Sequence, residues 1–388
     1  MFDMIDFLKR LVSLDTNSVT KSNYDKAAKL IANTAEKIGA SVEIINVEAP
    51  DKKPRPNVFV KIGSKGKKIL IITHFDVVPA SPPWSVIRDP FKPEIKDGKL
   101  YGRGAADNKG AIAAVLAGFA DILKEGEPKN QLIMIASCDE EVGGEYGLKW
   151  MKENHPELLD GDFAWIVDSD SEYIGLGVSG VIWAKLKIKG KGGHAGIPIA
   201  ADNPIYKLAR VINQLELYGK WLENNELSPL KAFKYYDKGL PGRLSVTMIS
   251  AGTKENVIPE EASLILDRRV PPGKNLDDAV NELKKKINEI CRGLEYRLEI
   301  IRTVPSYMTD VKNPVVQRFI ELSKGIYGEL PLCGEFGGND GVYFADKMPV
   351  VCLGEIRLDC NIHAKDEFVY LEDLEKLRRM VKKVAFEL

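Results

Sequence analysis

Apolar and polar positions change period several times along this chain, and the changes mark its elements. Ile5, Leu8, Leu11 and Val12 recur at helical spacing, which predicts an amphipathic helix within residues 1–14. A second pattern of that kind covers residues 24–39. Short strand patterns follow at 42–47 and 58–62. Residues 69–72 read Ile-Leu-Ile-Ile, an unbroken apolar run that suits a strand buried on both faces. The stretch 79–93, with Pro and Trp, reads as a loop, and Asp97-Gly98 within 96–101 signals a hairpin. A small-residue helix is predicted over 109–124, then apolar strands over 131–137 and 163–167. A helix near 314–327, a strand at 350–353 and a helix over 371–386 close the chain.

The character changes between about residues 179 and 302. Strand 183–188, helix 204–217, strand 244–250, strand 262–269, helix 276–290 and strand 296–301 follow one another there. That order, β-α-β-β-α-β, is ferredoxin-like. The expected organisation is therefore one domain of residues 1–178 and 303–388, interrupted by an inserted domain of 179–302. The fold class is α/β: a mixed, mostly parallel sheet with helices on both faces, plus an inserted ferredoxin-like α+β domain. At 388 residues the chain is long enough for both.

The polar residues that end the strands carry the chemistry. His74 and Asp76 lie two positions apart after the 69–72 run, so they project to one side. Asp139-Glu140-Glu141 follows strand 131–137, and Asp168 and Asp170 follow strand 163–167. Adjacent carboxylates repel unless a cation or solvent compensates them. If the intervening helices make these strands parallel, right-handed crossovers bring their C-terminal ends to one edge, where ligands bind in open α/β sheets. Asp107, in Gly102-Arg-Gly-Ala-Ala-Asp-Asn-Lys-Gly110, reads locally as a helix N-cap, in a stretch whose glycines suit a loop passing close to a site. Of the other histidines, His155 sits in a polar loop, His194 among glycines, and His363 in Asn361-Ile-His-Ala-Lys-Asp-Glu367.

Composition narrows the partners. Lys plus Arg number 55 and Asp plus Glu 56, a balance that argues against a nucleic-acid or anionic-membrane partner. No apolar run approaches a membrane span, and the N-terminal pattern lacks a signal-peptide core. Five cysteines without a C-x-x-C fit reduced thiols, so a cytoplasmic location is expected. Gln131, Gln214 and Gln317 are the only glutamines, a bias that points towards a thermophile.

Seven stretches, in this order and spacing, resemble one family across essentially the whole chain. They are Thr73-His-Phe-Asp-Val-Val-Pro79, the Gly102–Gly110 stretch, Asp139-Glu-Glu-Val-Gly143, Gly193-His-Ala-Gly196, Asn256-Val-Ile-Pro259, Asp267-Arg-Arg-Val-Pro-Pro272 and His363-Ala-Lys-Asp-Glu367. The family is the zinc-dependent one of aminoacylase, acetylornithine deacetylase, succinyl-diaminopimelate desuccinylase, glutamate carboxypeptidase and several di- and tripeptidases. The resemblance implies two zinc ions per subunit, replaceable by cobalt or manganese, bridged by Asp107. His74 and Asp170 would bind one ion, and Glu141 and His363 the other. Asp76 would orient His74, and Glu140 would be the general base for a metal-bound hydroxide attacking an amide carbonyl. Asn256, Arg269 and Gly338 would bind substrate. The inserted domain would make a homodimer in which His194 of one subunit completes the other subunit's site.

Two departures bear on substrate. Where family deacylases carry Gly-Glu-Pro, this chain reads Val167-Asp-Ser-Asp-Ser-Glu-Tyr-Ile174. Asp170-Ser-Glu-Tyr173 resembles the dipeptidases, which favours Asp170 as ligand, with Asp168 as the rival. Ala201-Asp-Asn-Pro204 resembles the desuccinylase branch instead. The expectation is a hydrolase of small N-acyl amino acids or short peptides. The alternatives are an acetylornithine, acetyl-lysine or succinyl-diaminopimelate deacylase and, from another class, a non-catalytic relative that binds a peptide or amino acid.

Overall fold

A computed structural model of the chain describes residues 2–81 and 83–388. Met1 and Pro82, which fall in the predicted first helix and the predicted 79–93 loop, lie outside the described residues. The chain forms two compact units. One comprises Met1–Leu176, Thr309–Leu332 and Asn339–Leu388; the other comprises Gly177–Met308 and Cys333–Gly338.

The first unit is built on a mixed sheet. The strands Gln131–Ser137, Lys68–His74, Phe163–Ile166 and Val350–Cys352 lie side by side in that order and run parallel. Pro56–Ile62 adds antiparallel to Gln131–Ser137, and Ser41–Asn46 adds antiparallel to that strand. In Lys68–His74 every residue from Ile69 to His74 is buried, as its apolar run requires. The helices Gly110–Glu125 and Leu371–Glu387 pack on one another. Gly118 lets them pack closely, because a side chain there would meet Val381 at 2.8 Å. Phe319, on the helix Pro314–Tyr327, lies against Phe163 and Trp165 of the sheet, with ring centroids 5.4 and 5.1 Å away. Parallel direction places the ends of Lys68–His74, Gln131–Ser137 and Phe163–Ile166 on one edge, and the acidic segments begin there.

The second unit holds a four-stranded antiparallel sheet. Its strands are Arg243–Ala251, Glu261–Val270, Gly180–Lys189 and Tyr296–Val304, in that spatial order. The helices Pro204–Asn225 and Leu276–Ile290 close a core of Ile182, Leu186, Leu208, Leu215, Leu264 and Leu283. The first helix runs eight residues beyond its predicted end at residue 217. Tyr218 and Leu222 continue the buried stripe Leu208, Val211, Leu215 at the same spacing. A hairpin of Leu227–Ala232 and Tyr236–Pro241 was not legible, since Pro229 and the polar residues around it break any alternation. This hairpin pairs through Lys231 and Ala232 with Cys333 and Gly334. The segment Cys333–Gly338 therefore groups with the inserted unit, although its sequence position suggested the other. No helix among the described residues is long and apolar enough to cross a membrane.

Candidate metal centre

The centre is assembled at the sheet edge of the first unit. His74 is 1% exposed, and its Nδ1 lies 3.0 Å from the Asp76 carbonyl oxygen. The Asp76 carboxylate accepts hydrogen bonds from the backbone N–H groups of Glu140 (3.1 Å) and Glu141 (3.2 Å). Asp76 thus fixes both the His74 ring and the turn that carries the two glutamates. On the other side of His74, Nε2 stands 2.9 Å from Asp107 Oδ1 and 3.5 Å from Asp168 Oδ2. Asp107 Oδ2 lies 2.9 Å from His363 Nε2, which is also 3.1 Å from Glu141 Oε2. Asp107 therefore offers one oxygen to the His74 side and the other to the His363 side.

Two groups of ligand atoms lie within 4.8 Å of one another: His74, Asp107 and Glu141, and His74, Glu140 and Asp168. Asp170 belongs to neither. The chain bends after Val167, so alternation stops applying there. Asp170 Oδ1 instead accepts from the backbone N–H of Glu172 at 2.6 Å. Its backbone bridges to Ile356. Asp168, the rival of Asp170 in the sequence reading, is the carboxylate that stands beside His74.

The electrostatics fit a cation. Burial, with the Asp107 charge beside it, raises the Glu141 carboxyl to about 7, and burial raises Asp340 to about 7. Burial also pushes Glu140 well above the usual carboxylate range, aided by Asp340 and Asp168. For Asp107, burial acts upward, but the hydrogen bonds with His363 and His74 outweigh it and hold the carboxyl low. Bonding to Asp107 and Glu141 raises His363 to about 10. Glu141 Oε1 is buried without a hydrogen-bond partner among the described residues. A nitrogen-and-oxygen donor set with crowded carboxylates and an orphaned carboxylate oxygen suits divalent zinc, cobalt or manganese.

These shifts give a pH prediction. Between pH 5 and 7 the folded chain holds protons on Glu141 and Asp340 that the unfolded chain, with ordinary values of 4.5 and 3.8, has released. Stability of the chelated protein therefore falls as pH rises through that window. The histidine contribution has the opposite origin: the His363 pKa is raised above 6.5, so its stabilisation is complete below that value and fades only towards about 10. We expect the Tm of chelated protein to drop from pH 5 to pH 7 and that of metal-loaded protein to hold. A chelated Tm that rises over this range contradicts the assignment.

Residues far apart in sequence hold the ligands in place. The buried Glu367 carboxylate accepts from the backbone N–H groups of Gly104 (3.1 Å), Ala106 (3.1 Å) and Asp107 (3.2 Å), and Arg103 bonds to it. Asp139, just before the two glutamates, takes Lys21 Nζ and Arg55 Nε at 2.7 Å each and Tyr24 Oη at 3.0 Å. Asp340 receives Ser137 Oγ at 3.4 Å. Sequence reasoning assigned no role to Glu367, Asp340, Arg55 or Tyr24. Glu367 did lie inside a noted motif. Arg55 and Asp139 are 2% and 1% exposed, so Arg55→Ala leaves a buried carboxylate short of one of its two counter-charges. Breaking such a pair costs about 3–5 kcal/mol. Urea denaturation should show a loss of that order, and one below about 1 kcal/mol would refute the clamp.

The remaining candidates lie in the inserted unit. His194 is exposed on the short strand Gly193–His194, which pairs with Val257–Ile258. The Asn256 carbonyl accepts from the Ala195 N–H at 3.0 Å, so His194 and Asn256 share one locus. Arg269 binds Asp267 through Nε (2.7 Å) and Nη2 (3.1 Å). Gly338 lies near Ser179, with room for a side chain, so its conformation does not demand glycine. His155, outside both sets, bonds to Glu157 at 3.0 Å.

Comparison with known proteins follows the same lines. A succinyl-diaminopimelate desuccinylase of Wolbachia pipientis subsp. Culex pipiens is 30% identical over 399 residues, covering 98% of this chain and 92% of the relative. A tripeptidase from Staphylococcus aureus has a similar fold, with a TM-score of 0.78, 20% identity and coverage of 98% and 96% of the two chains. So has an M20 family metallo-carboxypeptidase from Sulfolobus solfataricus, with a TM-score of 0.76, 22% identity and coverage of 99% and 98%. Residues 70–387 match the family described as Peptidase family M20/M25/M40, and the chain belongs to that family of hydrolases.

Proposed function

We propose that this chain is a di-zinc amidohydrolase that cleaves the amide bond of a small N-acyl amino acid or short peptide bearing a free carboxylate. The observation that carries the reading is Asp107, whose two oxygens address His74 and His363 separately at 2.9 Å each. His74 and Asp168 would hold one ion, Glu141 and His363 the other, with Asp107 between them. Two bound zinc ions would supply Lewis-acid polarisation of the scissile carbonyl and acidify the attacking water. Glu140 takes that water's proton and returns it to the departing amine nitrogen. Asp76 keeps His74 and the Glu140–Glu141 turn in register. His194 of a partner subunit donates a hydrogen bond to the developing oxyanion. Arg269 grips the substrate carboxylate with its planar fork, and Asn256 and Gly338 line its path. The exposed edge strand Arg243–Ala251, with Met248 and Ile249 66% and 62% exposed, supports homodimerisation through the inserted unit. The free, buried state of all five cysteines supports a reducing, cytoplasmic setting.

A desuccinylase is the second reading. It draws support from the relatives of that name and from Ala201-Asp-Asn-Pro204. With Asp168 as the ligand in place of Asp170, the dipeptidase-like stretch carries less weight. Hydrolysis of dipeptides and of N-acetyl and N-succinyl amino acids by the zinc-loaded protein tests both readings. Turnover in either panel supports the hydrolase, and preference within N-succinyl substrates supports the second reading. Zinc binding without turnover in either would favour a binding relative.

A further inference from the structure

The inserted unit carries a second arginine beside Arg269. Arg243 and Arg269 are direct partners on the antiparallel strands Arg243–Ala251 and Glu261–Val270. Side chains of directly opposed residues leave the same face of a sheet. The two guanidinium groups have one carboxylate between them, Asp267, and it is taken. Asp267 receives Arg269 Nε and Nη2 and also Trp183 Nε1, the last at 2.9 Å.

Arg243 has no such counter-charge among the described residues. Its Nη2 donates to Ser179 Oγ at 2.8 Å and to the Phe336 carbonyl at 2.9 Å, both neutral acceptors. Its guanidinium carbon stands 5.1 Å from the Phe336 ring centre, against which Tyr235 packs edge-on. Its Nε–H is buried and meets no acceptor among the described residues. Burial, then the neighbouring Arg269 charge, lowers its pKa to about 10. Arg243 is half-buried, and a charge withdrawn from water is normally paired, because desolvation without compensation is costly. Here neighbours fix the plane of the guanidinium without neutralising it, which is how a site for an incoming anion is built.

We propose that Arg243 is a specificity-determining residue that binds a second carboxylate of the substrate. Preferred substrates are then amides carrying an acidic group in addition to the carboxylate gripped by Arg269. This rests on the assignment of Arg269 under the proposed function. The second acid can belong to a dicarboxylic acyl group or to the side chain of the released amino acid. Both offer the same planar anion to the fork.

The test uses zinc-loaded protein and matched substrate pairs. One pair is the N-succinyl and N-butyryl derivatives of a single amino acid; the other is two dipeptides ending in Glu and Gln. Wild type is expected to favour the acidic member of one pair by roughly 10- to 100-fold in kcat/KM, the yield of one charge-assisted contact. Arg243→Gln should abolish that preference through KM and leave the uncharged member within about twofold. Arg243→Lys, which keeps the charge but not the fork, should lose at least about threefold of the preference, and it carries the test if the Gln variant does not fold. A wild type without preference in either pair overturns the proposal, and so does a preference that survives these substitutions undiminished. Arg269→Gln separates this inference from its foundation, since it should weaken both members alike. If it weakens neither while Arg243→Gln remains selective, the Arg269 assignment fails and Arg243 stands. If no pair is hydrolysed, calorimetric binding of succinate against butyrate reads the same difference. Equal effects of Arg243→Gln on the two acids then overturn the proposal.

Discussion

Glu140→Ala is expected to retain wild-type zinc content while losing about 10²- to 10⁴-fold in kcat, the usual contribution of a positioned general base. Glu140 shares its ligand-distance group with His74 and Asp168. It is also the glutamate left over once Glu141 is paired with His363 at 3.1 Å. Removing it should spare the Asp107, Glu141 and His363 contacts, so metal analysis and kinetics should separate. Its backbone N–H donates to Asp76 and survives the substitution, which keeps the turn in place. Steady-state kinetics with metal content measured on the same samples decides the matter. A variant with near-normal kcat removes Glu140 from the chemistry, and a variant that loses zinc makes it a ligand instead.

Asp107→Ala should have the other large effect, and through a different quantity. Its two oxygens face the His74 and His363 sides separately, each at 2.9 Å. Loss of a residue that merely orients a ligand already costs 10- to 100-fold in metal affinity, so loss of a bridging ligand should cost at least as much. The variant should keep less than one zinc per chain after dialysis and show no measurable turnover. With Asp107 gone, His363 loses the bond that heads the causes of its raised pKa. Two retained zinc ions in this variant would show that Asp107 bridges nothing.

Much of this arrangement is legible in the sequence. The unbroken run at residues 69–72 announces a strand buried on both faces, and it is buried throughout. His74, Glu140 and Glu141 stand at the C-terminal ends of predicted strands, whose convergence already suggests a metal, whereas Asp107 and His363 enter only through the family resemblance. Legibility ends where the chain leaves regular geometry. Asp168 and Asp170 have the same parity, and only the bend after Val167 turns Asp170 towards Glu172. It also ends where partners are remote in sequence. Glu367 supports Asp107 from 260 residues away, and Arg55 holds Asp139 from 84. No local pattern announces such pairs, because burial of one charge selects its partner only after the fold has formed. Arg243 belongs to the same class: its neighbour Arg269 is set by strand register.

The most direct test of a two-metal hydrolase is rate against metal occupancy. Chelated protein would be titrated with zinc while hydrolysis of the best substrate from the N-acyl and dipeptide panels is followed. The account predicts no turnover without zinc and full activity at two equivalents per chain. Activity that survives complete chelation, or two bound equivalents with no turnover of any substrate, would contradict it.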